Sequence, residues 1–177
     1  MQDTLIVNQT PYTVIRLLGH GKGGYSYLAE SQGHLCVLKQ IHHEPCDYYT
    51  FGNKIEAEIR DYSRLLQTGI NLPKMLDVDV SNERILKEYI EGPTIYELVK
   101  ADAVEDTHFR QVREMAAAVR SFGLNIDYFP TNFVERDGVM FYIDYECNEY
   151  MDEWNFENWG RLYWSKTPEF LAYVQTH

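Results

Sequence analysis

A glycine-rich segment, Leu18-Gly19-His20-Gly21-Lys22-Gly23-Gly24-Tyr25, is followed by a strand-like run rather than a helix, and that order decides much about the fold. The segment holds a G-x-G-x-x-G. The dinucleotide-binding fold needs a helix directly after these glycines, so it is excluded. From Tyr12 to Ile41 the chain instead shows short runs rich in Val, Ile, Leu and Tyr, broken at 19–24 and again at Ser31-Gln32-Gly33. This predicts three antiparallel strands. Glycines in such a turn let the backbone approach a phosphate without a Cβ in the way and leave amides to face an anion. Taken alone, the motif is equally a plain glycine-rich hairpin turn.

Between Thr50 and Thr68 the apolar residues Phe51, Ile55, Ile59, Tyr62 and Leu66 recur every three or four positions, the stripe of an amphipathic helix ended by Gly69. Two more strands are predicted over Lys74–Val80 and Arg84–Ile90, with a Ser81-Asn82 turn between them and Glu91-Gly92-Pro93 closing the second. The pattern then becomes helical. A helix should run from about Glu105 to Phe122, with Gly123 stopping it. Residues Asn132–Ile143 read as a hairpin about Asp137-Gly138, and 149–177 as two short helices parted near Lys166-Thr167-Pro168. The chain is therefore α+β, with a sheet-rich part to about residue 89, a connection over 87–92 and a mainly helical part over 93–177.

Three groups of side chains suggest chemistry. Lys39 closes the run Leu35–Leu38 on the strand next to the glycine turn, and Glu58 lies on the sheet-facing edge of the 50–68 helix. An acid on that edge wants a cationic partner, and Lys39 is the obvious one. In Asn125-Ile126-Asp127-Tyr128-Phe129-Pro130-Thr131-Asn132 an acid and an amide stand five residues apart in a loop that proline keeps out of helix. Folding the hairpin about Asp137-Gly138 sets Asn132 beside Ile143, and so close to Asp144. Two oxygen ligands converging there suit Mg²⁺, with Asp127 nearby to accept a hydroxyl proton. A simple turn-capping role explains Asn132 or Asp144 singly but does not predict all three residues together.

Composition narrows the partners. Sixteen Lys and Arg stand against 27 Asp and Glu, a formal charge of −11, which argues against a nucleic-acid or anionic-membrane partner. Cys36, Cys46 and Cys147 are widely spaced with no CxxC pair, and read as reduced thiols. No apolar run approaches a membrane span and the start has no basic leader, so a cytoplasmic protein is expected.

The order of these parts resembles the protein-kinase-like superfamily: glycine turn, strand lysine, helix glutamate, connecting Lys87-Glu88-Tyr89-Ile90, Asp127 with Asn132, and an aspartate in Ile143-Asp144-Tyr145-Glu146. The resemblance covers about residues 12–146. The I-D-Y-E form resembles the minimal bacterial kinase-like and aminoglycoside-phosphotransferase branches more than eukaryotic protein kinases. It implies a two-lobed fold with an antiparallel N-lobe sheet plus one helix and a truncated C-lobe. It further implies ATP with Mg²⁺ or Mn²⁺ as cofactor, and transfer of the γ-phosphoryl group to a hydroxyl on a protein Ser or Thr or on a small molecule. Gly19, Gly21, Gly24 and Lys39 would bind the phosphates, with Lys39 held in place by its pairing to Glu58. The backbone of Glu88 and Ile90 would contact adenine, Asn132 and Asp144 would hold the metal, and Asp127 would be the catalytic base.

Departures from the resemblance define a rival. Ser26 replaces a valine expected over the adenine, Asn125 a histidine before the catalytic acid, and Phe129 a polar residue after it; Ile126 replaces the arginine of regulated kinases. Only 33 residues follow Asp144, which suits a minimal core. The alternative is a pseudokinase, a nucleotide-binding or interaction module. The segment 144–157 carries six acids and no Lys or Arg, with Trp154, Trp159 and Trp164 in or near it. It reads as a solvated acidic turn before an aromatic helix, or as a platform for a cationic acceptor, such as a basic peptide or an amine-bearing small molecule. The pair His42-His43 is a weak metal candidate, and a polar strand end is the commoner explanation.

Overall fold

A computed structural model describes residues 1–45 and 53–177. They form an α+β chain of two compact units, one made of 1–60 and 73–89, the other of 61–72 and 90–177. The chain passes between units at Tyr89–Ile90, and also at Arg60–Asp61 and Leu72–Pro73. The expected division gave the whole 50–68 helix to the first part. Its C-terminal half belongs to the second unit, because Leu65 is wholly buried in that unit's core and Tyr62 packs its ring 4.7 Å from Tyr145.

The first unit is a six-stranded antiparallel sheet. Its strands are β1 (Thr4–Val7), β2 (Thr10–His20), β3 (Gly24–Ser31), β4 (His34–Ile41), β5 (Met75–Asp79) and β6 (Arg84–Glu88), in the order β1-β2-β3-β4-β6-β5. The core on one face is Val7, Ala29, Cys36, Leu38 and Leu86. Strand β1 was not anticipated, because the turn that creates it, Asn8-Gln9, uses positive φ angles of 46° and 73° without glycine. Asn8 is held there by its N–H donating to Asp79 Oδ2 (2.9 Å) and its amide donating to Asp77 Oδ1 and the Val78 carbonyl (both 2.9 Å). The pairing of β2 with β3 slips twice, between Val14 and Arg16 and between Leu17 and Gly19, so Ile15 and Leu18 have no partner across the ladder. Helix α1 (Lys54–Leu66) buries Ile55 and half-buries Ile59 and Tyr62 as the predicted stripe requires, but Leu66 is exposed and its neighbour Leu65 is the buried residue of the last turn; Gly69 beyond the helix adopts φ 77°. The expected start of this helix, with Phe51, and the thiol of Cys46 fall outside the described residues.

The second unit contains α2 (Ile95–Lys100), α3 (Asp106–Ser121), β7 (Leu124–Ile126), β8 (Phe133–Arg136), β9 (Val139–Tyr142), β10 (Cys147–Glu149) and α4 (Pro168–Thr176). Helix α3 and the β8–β9 hairpin are as predicted, with Asp137 and Gly138 at φ 52° and 79°. Helix α2 was missed although its signal is local: Thr94 accepts the Glu97 N–H while Glu97 accepts the Thr94 N–H, a reciprocal cap. The two-stranded sheet of β7 and β10 was also missed, since three-residue strands carry almost no periodicity. In place of the first expected C-terminal helix there are two 3₁₀ turns, Asp152–Trp154 and Gly160–Tyr163; α4 is the second helix, capped by Thr167. Gly92 is fixed by space, because a Cβ there would stand 1.9 Å from the Glu135 carbonyl oxygen. Among the described residues no helix is long and apolar enough to cross a membrane.

Candidate functional site

The glycine turn is shorter than its sequence suggested. Gly19 lies within β2 opposite Ser26, and Gly24 opens β3, leaving Gly21–Gly23 as the turn itself. Its carbonyls are tethered to one side: His42 Nε2–H donates to Gly21 (2.8 Å), Lys54 Nζ to Lys22 (3.2 Å) and the His42 N–H to Gly23 (3.1 Å). The Gly21 N–H is engaged by the Gly24 carbonyl at 3.0 Å, so in this conformation it does not face an anion. Lys54 is buried and also donates to the His42 carbonyl at 2.5 Å. Sequence reasoning missed it, because a lysine in the first turn of an amphipathic helix ordinarily points to solvent.

The glycines are not equivalent. A Cβ on Gly19 or Gly21 would meet nothing within 4 Å, whereas on Gly24 it would lie 2.5 Å from the Gln40 carbonyl oxygen. Gly23 carries the closest relation to charge, since a Cβ there would sit 3.7 Å from Lys39 Nζ and 3.8 Å from Glu58 Oε1. Gly23 was not among the predicted binding glycines.

Antiparallel register places Ser26, Lys39 and Ile85 side by side on β3, β4 and β6. Cross-strand partners share a face, so Lys39 leaves the sheet on the side where Ile85 is fully buried. Glu58, on α1, reaches it, and Lys39 Nζ donates to Glu58 Oε1. Both side chains are about 15% exposed, so the pair is only lightly screened. Glu58 Oε2 is buried and lacks a hydrogen-bond partner among the described residues. At the end of this unit the Glu88 N–H donates to the Lys74 carbonyl (2.8 Å), and the Lys74 N–H donates to Glu88 Oε1 (3.1 Å).

In the second unit the loop from Asp127 to Asn132 is stitched to itself. Asp127 Oδ1 accepts the Phe129 N–H (3.1 Å) and Asn132 Nδ2 donates to the Asp127 carbonyl (3.3 Å). The hairpin closes as the turn chemistry requires, with the Ile143 N–H donating to the Asn132 carbonyl at 2.9 Å. Asp144 Oδ1 accepts the N–H groups of Tyr145 (2.7 Å) and Glu146 (3.3 Å). Tyr142 links the two acidic segments: its hydroxyl accepts the Asp127 N–H (3.1 Å) and donates to the Glu146 carbonyl (2.7 Å). Burial, and then the negative charges of Asp144 and Asp127, push this phenol well above its ordinary range. It is a fixed neutral donor. Asn125, in place of a histidine, donates to the Met151 carbonyl at 2.9 Å, and Ile90 is buried in this unit.

Beneath the loop lies an aromatic bed. Trp164 is wholly buried, its indole N–H donates to the Tyr128 carbonyl (2.8 Å), and its ring packs 5.2 Å from both Phe133 and Phe156. The acidic segment is partly neutralised in place, Glu157 pairing with Arg113 (2.7 Å) and Arg161 (3.7 Å).

The fold and these residues support the resemblance to the protein-kinase-like superfamily. Among characterised proteins the chain is similar to the KEOPS complex subunit Bud32 of Pyrococcus abyssi (strain GE5 / Orsay), 30% identical over 98 residues. It is also similar to the EKC/KEOPS complex subunit bud32 of Dictyostelium discoideum, 24% identical over 104 residues. The matches cover 54% and 56% of this chain but 44% and 41% of the relatives, so they span less than half of each relative's length. No model of a known protein family matches the chain. Neither relative bears the name of an aminoglycoside phosphotransferase, and that narrower resemblance gains no support from them.

Proposed function

We propose that the chain is an ATP-dependent phosphotransferase acting on a hydroxyl acceptor. The observation that carries this reading is the Lys39–Glu58 pair directly beside Gly23, a cation held by a helix carboxylate at a glycine turn. Lys39 would hold the α and β phosphates, and Glu58 would fix the position of its ammonium. The backbone of Glu88 and Ile90 would hold adenine. Asn132 and Asp144 form an all-oxygen donor set, which fits Mg²⁺ or Mn²⁺. When bound, such an ion supplies charge neutralisation at the β and γ phosphates. Asp127 would orient the acceptor hydroxyl and take its proton, and the acidic stretch over 144–157 would favour a cationic acceptor.

A second reading is a pseudokinase that works as a nucleotide-binding or assembly module. Two observations favour it: both relatives are named as subunits of a complex, and Asp127 and Asp144 already accept hydrogen bonds within their own segments. Thermal melting with ATP and Mg²⁺, run beside a phosphoryl-transfer assay, separates the two. The phosphotransferase reading expects a melting shift that Asp144→Ala loses, together with turnover that Asp127→Asn lowers by ~10²–10⁴-fold at nearly unchanged ATP affinity. Binding without turnover selects the second reading. An absence of binding refutes the phosphotransferase and the nucleotide-binding form of the second reading, and leaves the assembly module alone.

A further inference from the structure

The same glycine turn carries a second group of side chains that the phosphoryl-transfer reading does not use. His20 is the last residue of β2, His42 follows β4 directly, and Glu44 lies two residues beyond. Their ligand atoms all lie within 4.8 Å of one another. His20 Nε2 stands 3.3 Å and His42 Nδ1 3.4 Å from the same oxygen, Glu44 Oε2. Bonds of about 2.0–2.1 Å in tetrahedral geometry separate their ligand atoms by about 3.3–3.4 Å. Two of the three spacings therefore already match the edges of a tetrahedral site.

The orientation of His42 points the same way. Its Nε2–H is committed to the Gly21 carbonyl at 2.8 Å, so Nδ1 carries the lone pair; that nitrogen accepts the Glu44 N–H at 3.2 Å, a bond an ion would have to displace, and stands 3.4 Å from the Glu44 carboxylate. A ligating histidine is ordinarily fixed in this manner, its second nitrogen donating to a carbonyl outside the ligand set. The His42 side chain is only 10% exposed, whereas His20 is half exposed and is the ring that can close the remaining distance. Tyr25 buttresses both partners, its ring stacked 4.2 Å from His20 and its hydroxyl donating to Glu44 at 2.7 Å. His43, the neighbour that sequence alone would pair with His42, turns away to Glu83 at 2.6 Å.

We propose that His20 Nε2, His42 Nδ1 and the Glu44 carboxylate form a binding site for a divalent transition-metal ion of the Zn²⁺ class, with a fourth position left to water. Two imidazoles and one carboxylate favour such an ion over Mg²⁺ or Ca²⁺, which prefer oxygen throughout. The ion would tie the strand entering the glycine turn to the strand end that already grips the turn's carbonyls, and so would stiffen the turn. This site lies wholly within the first unit and does not depend on the nucleotide reading.

The test uses untagged full-length protein stripped with a chelator and titrated calorimetrically with Zn²⁺, with Co²⁺ as an optical probe. The expected result is one equivalent per chain, visible Co²⁺ bands of the intensity given by four-coordinate sites, and no competition from millimolar Mg²⁺. His20→Ala, His42→Ala and Glu44→Gln should each weaken binding at least tenfold, while His43→Ala and His34→Ala leave it unchanged. His20→Ala alters a half-exposed side chain, so its melting temperature without metal should match wild type, and the Zn²⁺-induced rise in melting temperature should disappear. An absence of binding, or binding that survives in His20→Ala and His42→Ala, or a loss in His43→Ala as large as in His42→Ala, overturns the proposal.

Discussion

The glycine turn at 21–23 and the loop at 127–132 are both irregular segments that must hold their shape, and they do so by opposite means. The turn is gripped from outside by polar donors, His42 and Lys54, on three successive carbonyls. The loop rests on packed rings, and its polar bonds, from Trp164 to Tyr128 and among Asp127, Phe129, Asn132 and Tyr142, are made on that bed. Polar tethers are each worth about 0.5–1.5 kcal/mol net, whereas a buried aromatic side chain is worth several times more. The turn is therefore built to yield, while the loop is built to stay put.

That contrast can be attacked from its strong side first. Trp164→Ala should destabilise the protein by about 3–5 kcal/mol in urea unfolding, because the indole is wholly buried against Phe133 and Phe156 and its removal leaves a cavity under Tyr128. A cost near 1 kcal/mol would mean that the ring bed is not what holds the loop. Next comes the ion pair beside Gly23. Lys39→Ala should cost ~1–3 kcal/mol by leaving the Glu58 carboxylate without its cation. The double variant with Glu58→Gln should cost less than the sum of the single changes, and strict additivity would show that the two side chains do not couple.

Lys54→Met keeps the buried stem and removes the donor, so a loss of about 1–2 kcal/mol is expected. Hydrogen exchange should report it as faster opening at residues 21–24, with no change at 127–132. Equal acceleration in both segments would erase the distinction drawn above. The smallest effect belongs to Asp79, whose carboxyl is held below its ordinary range by the Asn8 N–H and by the Asn82 side chain and N–H. A depressed pKa in the folded state contributes stability above the unfolded value of about 3.9 and loses it as pH falls through the folded one. Thermal melts of wild type and Asp79→Asn should therefore differ near neutral pH and converge in strong acid. A difference that persists unchanged at low pH would assign the effect to something other than charge.

What could be read from the chain and what could not divide along the same line. The stripe from Ile55 to Tyr62, the hairpin about Asp137-Gly138 and the meeting of Lys39 with Glu58 follow from short-range periodicity and turn chemistry, and the residues involved advertise themselves. Strand β1 depends on Asn8 finding Asp77 and Asp79 some seventy residues away, and the β7–β10 pair depends on partners more than twenty residues apart. No local pattern encodes such contacts. Trp164 was visible as a tryptophan but not as the support of Tyr128, and Lys54 was visible as a charge but not as a buried one. Thr94-x-x-Glu97 is the exception, a local capping signal that was present and went unread.

The two slips in the β2–β3 ladder have a consequence for chain-length change. Side chains alternate with a period of two, and each unpartnered residue, Ile15 or Leu18, absorbs one step of that alternation, so the residues on either side of it keep their partners and their faces. Deleting Ile15 sets Val14 next to Arg16, and deleting Leu18 sets Leu17 next to Gly19, each pair on opposite faces as an unbroken ladder requires. Either deletion alone should therefore leave the rest of β2 facing as it does. Strand β3 has no such residue to spare in its ladder with β4, so a deletion there should shift the register and be tolerated far less well.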